Sequence, residues 1–353
     1  RPTSTKERAE LGGAAVLAFP REGEIRVDNL PKKQSHQFEF DRVFPPTTTQ
    51  EEVFEEVQDL VTSVLDGYNV CIFAYGQTGS GKTHTMEGPK DNPGVNTRAL
   101  DKLFAEAGEK AAQWEYGLRI TLLEIYNEKI MDLLSDTQDV TLKVVQGKDG
   151  MEVLGLTQVE VTSADDVQRN LAKGKRNRHV ARTDMNDYSS RSHLILSVYA
   201  AGRNKITGQE SKGKLHLIDL AGSERISRSG VTGDALKEAQ KINFSLSALG
   251  NVISARANKM AHIPYRNSML TYLLQDSLEK NSKTLMFVQL SPSIESVTET
   301  LCSLRFAERV RKVELGKAGK NVGTGGGAGA VSAPVSPNDY PEDDDAGYDN
   351  GEI

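Results

Sequence analysis

Between residues 69 and 75 the chain reads Asn-Val-Cys-Ile-Phe-Ala-Tyr, and Gly76-Gln77-Thr78-Gly79-Ser80-Gly81-Lys82-Thr83 follows without a break. A short run that is apolar at successive positions suits a strand buried on both faces of a parallel sheet. The octet has the P-loop spacing, with the strand before it and a helical pattern after it that this reading requires. Its glycines let backbone N–H groups curl around phosphate oxygens, and a helix N-terminus adds positive potential. Lys82 reaches the β- and γ-phosphates, and the Thr83 hydroxyl is placed to ligate Mg²⁺. A glycine turn without a ligand would have no need of Lys82-Thr83. The loop alone does not separate kinases, transporters, G proteins and motors.

The surrounding pattern predicts an α/β fold. Thr49 with Glu52 makes a capping box, and Val53, Phe54, Val57, Leu60, Val61, Val64 and Leu65 recur at helical spacing until Gly67. Strand-like runs recur at 120–125, 194–200, 214–219 and 284–290, and residues 234–257 carry apolar side chains at helical spacing. This predicts a mixed sheet, containing mostly parallel strands, with helices on both faces. Residues 1–321 read as one domain. From residue 322 the chain becomes Gly-rich and then acidic, a composition that cannot bury enough apolar surface to offset ordering, so 322–353 is expected to be a disordered tail.

The net charge of −6 is misleading, because Asp339, Glu342, Asp343, Asp344, Asp345, Asp349 and Glu352 all follow the last basic residue, Lys320. The remainder is close to neutral and can carry a basic face for an acidic partner. No apolar run approaches the ~20 residues of a bilayer span. Cys71 and Cys302 lack metal-ligand spacing and read as buried core thiols. The start at Arg1-Pro2-Thr3 reads as that of a fragment.

Two further segments bear on phosphate chemistry. Lys214-Leu215-His216-Leu217-Ile218-Asp219 is an apolar strand ending in an acid that can help hold a Mg²⁺ shell, although alone it is equally a plain strand-end turn. It continues as Leu220-Ala221-Gly222-Ser223-Glu224, where a glycine N–H can sense a γ-phosphate. Asn186-Asp187-Tyr188-Ser189-Ser190-Arg191-Ser192-His193 is a dense polar cluster before the strand at Leu194. In isolation it would be a solvated turn.

Together and in this order, these elements resemble the P-loop, switch I and switch II of kinesins. The resemblance takes in residues 38–44, Glu124-Ile125-Tyr126-Asn127-Glu128 and 262–268, and covers 1–321. The ending at 304–316 resembles the kinesin-14 branch, whose motors usually move toward microtubule minus ends. The resemblance implies a microtubule-stimulated ATPase using ATP/ADP and Mg²⁺, located in the cytoplasm on microtubules and in some members on the spindle. Thr83 and Ser190 would ligate Mg²⁺ with Asp219 behind them, Ser189 and Gly222 would hold the attacking water, and Arg191 with Glu224 would form the gate. Arg1, Pro2, Tyr75 and His84 would frame the adenine. A guanine-binding Asn-Lys-x-Asp signature is missing, which disfavours a signalling GTPase.

Arg225, Arg228, Arg256, Lys259, His262 and Arg266 match loops that contact microtubules in kinesins, and the family's neck coiled coil would make the full-length protein a dimer. Phe244 and Met269 stand where kinesins commonly have basic residues, and Glu279-Lys280 where small residues are typical. The first two departures predict weak, less salt-sensitive binding. They also leave open a microtubule-binding module with little or no motility.

Overall fold

The strand expected ahead of the glycine loop forms over Asn69–Tyr75, and its alternation organises the molecule. Val70, Ile72 and Ala74 pack into one buried apolar cluster, while Cys71, Phe73 and Tyr75 pack into another. Successive side chains of a strand point to opposite faces, so this one strand contributes to both cores. The computed structural model describes residues 1–3, 16–29, 32–137, 142–147, 150–180, 188–225, 234–279 and 282–323.

In chain order the strands are β1 (Leu17–Ala18), β2 (Glu24–Asn29), β3 (Gln34–Glu39), β4 (Asn69–Tyr75), β5 (Trp114–Tyr126), β6 (Lys129–Asp132), β7 (Lys143–Gly147), β8 (Gly150–Leu154), β9 (Val159–Val161), β10 (His193–Asn204), β11 (Glu210–Asp219), β12 (Ser282–Val288) and β13 (Val322–Gly323). The α-helices are α1 (Gln50–Glu55), α2 (Gln58–Thr62), α3 (Lys82–Met86), α4 (Val95–Glu109), α5 (Ala164–Val180), α6 (Asp234–Ala257), α7 (Met269–Leu273), α8 (Gln275–Leu278) and α9 (Val297–Arg311). Short 3₁₀ turns include Tyr188–Arg191.

The central sheet has the order β12-β4-β11-β10-β5-β6, with β13 on β11 and β9 on β5. One face carries α1, α2, α4 and α5, contributing Val57, Val61, Leu100, Leu103 and Val167. The other carries α6 to α9 through Leu246, Leu249, Val252, Leu270, Leu278 and Phe306. β1 to β3 form a separate small sheet packed on α9 through Val297 and Leu301.

The sheet is less parallel than the sequence suggests. Only β4–β11 and β4–β12 run parallel among the described pairings, whereas β5, β10 and β11 form a long antiparallel meander. The reason is local: Asn204 Oδ1 accepts the N–H groups of Ile206 and Thr207, each at 2.9 Å, and closes β10 onto β11 as a hairpin. The helix expected from Thr49 to Gly67 has its capping box but divides after Glu55, where the Val57 N–H reaches back to Phe54 O. Strand pairing continues to residue 323, where Val322 and Gly323 pair with Ser211 and Glu210. Residues 324–353, the rest of the expected tail, lie outside the described residues. No described helix is long and apolar enough to cross a membrane.

Candidate nucleotide site

Parallel strands put their C-terminal ends on one edge, the usual ligand edge of such sheets. Here the register sets Asp219 of β11 opposite Ala74 of β4 and Val288 of β12 opposite Tyr75. The glycine loop leaves β4 between them. Gly76 has φ +152°, and a Cβ on it would lie 2.3 Å from Gln289 O, so only glycine lets the loop turn against β12's end. Ser80 is fully buried, its hydroxyl donating to Gln77 O at 2.7 Å, and Gln77 Nε2 donates to Ser296 Oγ at the start of α9. Arg1 Nε donates to Gly79 O at 2.8 Å and Arg1 NH1 to Pro2 O, which places both residues beside the loop.

α3 starts at Lys82, whose buried ammonium donates to Gly76 O (2.9 Å) and Gln77 O (3.1 Å). Burial pulls its pKa below the usual lysine value, opposed by the charges of Asp219 and Glu224. The Thr83 hydroxyl donates to Asp219 Oδ2 at 2.6 Å. Asp219 Oδ1 is buried with no hydrogen-bond partner, and burial raises the carboxyl pKa against the pull of Thr83 and Lys82. A buried carboxylate oxygen without a partner beside a threonine hydroxyl suits a hydrated cation better than it suits a plain strand end.

The two neighbouring loops meet the P-loop through backbone bonds. The Gly222 N–H donates to Ser190 O at 2.8 Å and the Ser223 N–H to Gly76 O at 3.1 Å. The Glu224 carboxylate accepts from the Thr78 N–H (2.8 Å) and the Thr78 hydroxyl (2.6 Å). The expected gate therefore has a different arrangement here: Arg191 ends the adjacent 3₁₀ turn, but Glu224 is bonded to Thr78 and not to Arg191. The Gly222 N–H likewise reaches a phosphate or water only when its bond to Ser190 breaks. The Ser189 side chain lies outside the described residues.

Two other expectations need correction. Tyr75 does not frame an adenine; its ring stacks on Phe306 with centroids 4.3 Å apart in the core beneath α6 and α9, and burial pushes its hydroxyl up to about 12. The strand's alternation puts it there. His84 stays near the loop, held through Nδ1 and its carbonyl by Gln50 Nε2. Cys302 is only half-buried, and Arg225 NH2 lies 3.2 Å from its sulfur.

Of the basic residues read as a docking face, Lys259, His262 and Arg266 are exposed in the segment that follows α6. Arg266 lies over the Tyr272 ring, and Lys259 pairs at 3.4 Å with Glu314. Arg256 is half-buried beside Tyr265, with a buried Nε lacking a partner, so it contributes less to the surface than the sequence suggests. Arg228 lies outside the described residues. Phe244 is 50% exposed on α6, whereas Met269 is half-buried, its N–H donating to Glu128 at 2.7 Å.

Sequence reasoning missed a buried network behind the site. Arg178, near the C-terminus of α5, donates through Nε to Glu124 of β5 at 2.6 Å and through NH2 to Ser192 Oγ at 2.9 Å, and Ser192 also bonds Glu124. Glu124 is 2% exposed. The one sequence signal was an acid inside an otherwise apolar strand run, which calls for a partner when buried. His193 was also read only as part of a polar cluster, and it is buried.

The profile of the kinesin motor domain family matches residues 1–313. Two relatives from Arabidopsis thaliana, the kinesin-like proteins KIN-14R and KIN-14S, are 50% and 51% identical over 331 and 326 residues, or 92% and 91% of this chain. The chain spans only 30% and 42% of their lengths. A solved fast kinesin, described for its ATPase mechanism and interactions with microtubules, superposes with a TM-score of 0.84 at 40% identity, covering 92% of each chain. The KIN-14 relatives agree with the kinesin-14 resemblance of the segment 304–316. Fold, loops and family profile lead to one conclusion: the chain belongs to the kinesin motor domain family.

Proposed function

We propose that this chain is an ATP-hydrolysing motor domain whose turnover is stimulated by microtubules, with ATP bound along the 76–83 loop and Mg²⁺ beside Thr83 and Asp219. The observation that carries the reading is the convergence of three loops on one edge of the sheet, joined by the bonds from Gly222 to Ser190 and from Ser223 to Gly76. Lys82 turns from its two loop carbonyls to the β- and γ-phosphates. Thr83 and Ser190 would hold Mg²⁺, with Asp219 orienting its hydration shell. When bound, the cation neutralises charge on the transferring phosphoryl group. No cluster of three His, Cys, Asp or Glu side chains occurs among the described residues, so hydroxyls, phosphates and water would supply most of its ligands. Arg1, Pro2 and His84 line the way to the adenine. Ser189 and Gly222 position the attacking water, and Glu224 takes part once it leaves Thr78 for Arg191.

Asp219 offers a test of the cation site. Because burial raises its carboxyl pKa, the protonated form favours folding below the ordinary aspartate range, and that contribution is lost as pH rises through the raised value. Cation binding needs the ionised form, so Mg²⁺ dependence should weaken as pH falls toward that value. Asp219→Asn is expected to raise the melting temperature of the ligand-free protein, because it removes a charge that burial disfavours. It should also weaken the Mg²⁺ requirement curve at least tenfold. Thermal scanning with and without MgADP checks both, and an unchanged Mg²⁺ dependence would remove Asp219 from the cation site.

The docking face follows α6, through Lys259, His262 and Arg266, with Arg225 beside α9 and Arg228 and Arg256 in support. An acidic filament is the fitting partner, and the kinesin-14 likeness supports minus-end-directed movement and dimerisation through a coiled coil outside this sequence. Lys259→Ala with Arg266→Ala should weaken microtubule cosedimentation at low salt about tenfold, as expected for two exposed charges. Salt sensitivity should fall in parallel. Phosphate release measured with and without microtubules tests the whole reading, and equal rates would reject it in favour of a binding module.

A further inference from the structure

His193 opens β10 and is 2% exposed, and its two ring nitrogens bond to groups outside the P-loop. Its Nδ1 lies 3.1 Å from the backbone nitrogen of Ala221, and its Nε2 lies 2.8 Å from Ser245 Oγ on α6. A backbone N–H only donates, so Nδ1 accepts. In the neutral ring the proton then sits on Nε2 and is donated to Ser245. Burial and the nearby Lys82 charge hold the imidazole pKa near 3, so this tautomer persists at physiological pH.

The position of these partners gives the ring its meaning. Ala221 immediately precedes Gly222, whose N–H is bonded to Ser190 O, and Ser190 lies three residues before His193. The two phosphate-facing loops and the imidazole thus close a ring of covalent and hydrogen bonds. Ser245 is itself 2% exposed and lies on the inner face of α6, next to Leu246 in the same apolar core. Ser245 lies at the middle of α6, and the helix's C-terminal end leads into the segment bearing Lys259, His262 and Arg266.

Neither hydrogen bond can be dropped cheaply, because an unsatisfied polar group buried in this core loses its solvation without compensation. Any movement of Ala221 that follows the breaking of the Gly222 to Ser190 bond must therefore carry the imidazole with it or strand its Nδ1. Through Nε2 the same displacement reaches α6. We infer that His193 is a positioning residue that links the two phosphate-facing loops to α6 through Ala221 and Ser245, so that nucleotide state and filament grip move together. This rests on the function proposed above and adds the physical link between its two sites.

Ser245 provides the test, since it lies outside the nucleotide site and the docking face. Ser245→Ala should leave ATP turnover without microtubules within about twofold of wild type and reduce microtubule stimulation about fivefold or more. Ser245→Thr keeps a hydroxyl and should restore most of the stimulation. Ser245→Val has nearly the shape of threonine without the donor-acceptor group and should not. Thermal scans of the three variants establish that each is folded, and the Thr/Val pair separates hydrogen bonding from packing. Stimulated wild type with equally stimulated Ala and Val variants, or Thr and Val variants impaired alike, overturns the link while leaving the motor reading intact. A wild type that microtubules do not stimulate overturns both.

Discussion

Gly222→Ala is expected to leave the fold and nucleotide affinity nearly intact while slowing ATP hydrolysis about 100-fold or more. A Cβ at this position would lie 2.3 Å from Thr78 Oγ1 and 2.4 Å from a Glu224 carboxylate oxygen, distances that no pair of atoms tolerates. Both neighbours are ends of side chains, so they can swing away at little cost to the core. The consequence falls on chemistry. Glu224 loses its seat on Thr78, and the 222 amide can no longer approach a phosphate or water at glycine's distance. Removing one preorganised donor from a developing charge typically costs 10²–10³ in rate, about 3–4 kcal/mol. Lys82, to which the proposed function gives the phosphate contact, bonds Gly76 O and Gln77 O and is not among the atoms that a Cβ at 222 would meet.

Fluorescent-nucleotide titration, single-turnover hydrolysis and thermal scanning separate these effects. Affinity should stay within a few-fold and the melting temperature within about 2 °C, close to the shift given by 1 kcal/mol in a domain of this size. Hydrolysis at the wild-type rate would show that neither Gly222 nor Glu224 acts where the proposed mechanism puts them.

The parts of the site legible in the sequence share one property: their chemistry is set by neighbours along the chain. β4 and the glycine loop are contiguous, so an apolar run followed by Gly76 to Thr83 announces both. The same holds for α6, whose helical spacing gives Asp234–Ala257 directly. What escaped depends on pairing between distant segments. The antiparallel pairing of β5 with β10 joins segments far apart in sequence, and the local β10–β11 turn from Asn204 to Gln209 lacks the Asn-Gly or Asp-Gly pair of the tightest hairpins.

The side on which a residue falls was equally hard to read. Tyr75 abuts the loop in sequence, yet the period of two in β4 turns its ring away from the nucleotide edge and onto Phe306. Glu224 sits on Thr78 because a flexible carboxylate can satisfy P-loop donors, a contact 146 residues apart that no local pattern encodes. Glu128 is another such case: quoted only for resemblance, it accepts the N–H of Met269 at the start of α7 and ties the β5–β6 turn to that helix.

The network behind the site leads to the largest stability effect expected in this protein. Arg178→Ala should destabilise the fold by about 3–5 kcal/mol, because it removes one half of a buried ion pair. Ser192 would still donate to the Glu124 carboxylate, but a hydroxyl dipole does not neutralise a charge in a low-dielectric interior. The damage would extend to the nucleotide edge. Ser192 lies two residues after Ser190, and the Arg178 charge is one of those drawing the Asp219 carboxyl pKa down against burial. Losing it should therefore also loosen the 3₁₀ turn at Tyr188–Arg191 and slow hydrolysis. Glu124→Gln in the Arg178→Ala background removes the buried charge that Arg178 balanced and should recover at least half of the lost stability, since the two residues form one coupled unit. Urea unfolding of the wild type, both single variants and the double variant gives the coupling directly. If Arg178→Ala costs less than about 1 kcal/mol, the range of an exposed ion pair, the pair is not the buried clamp described here.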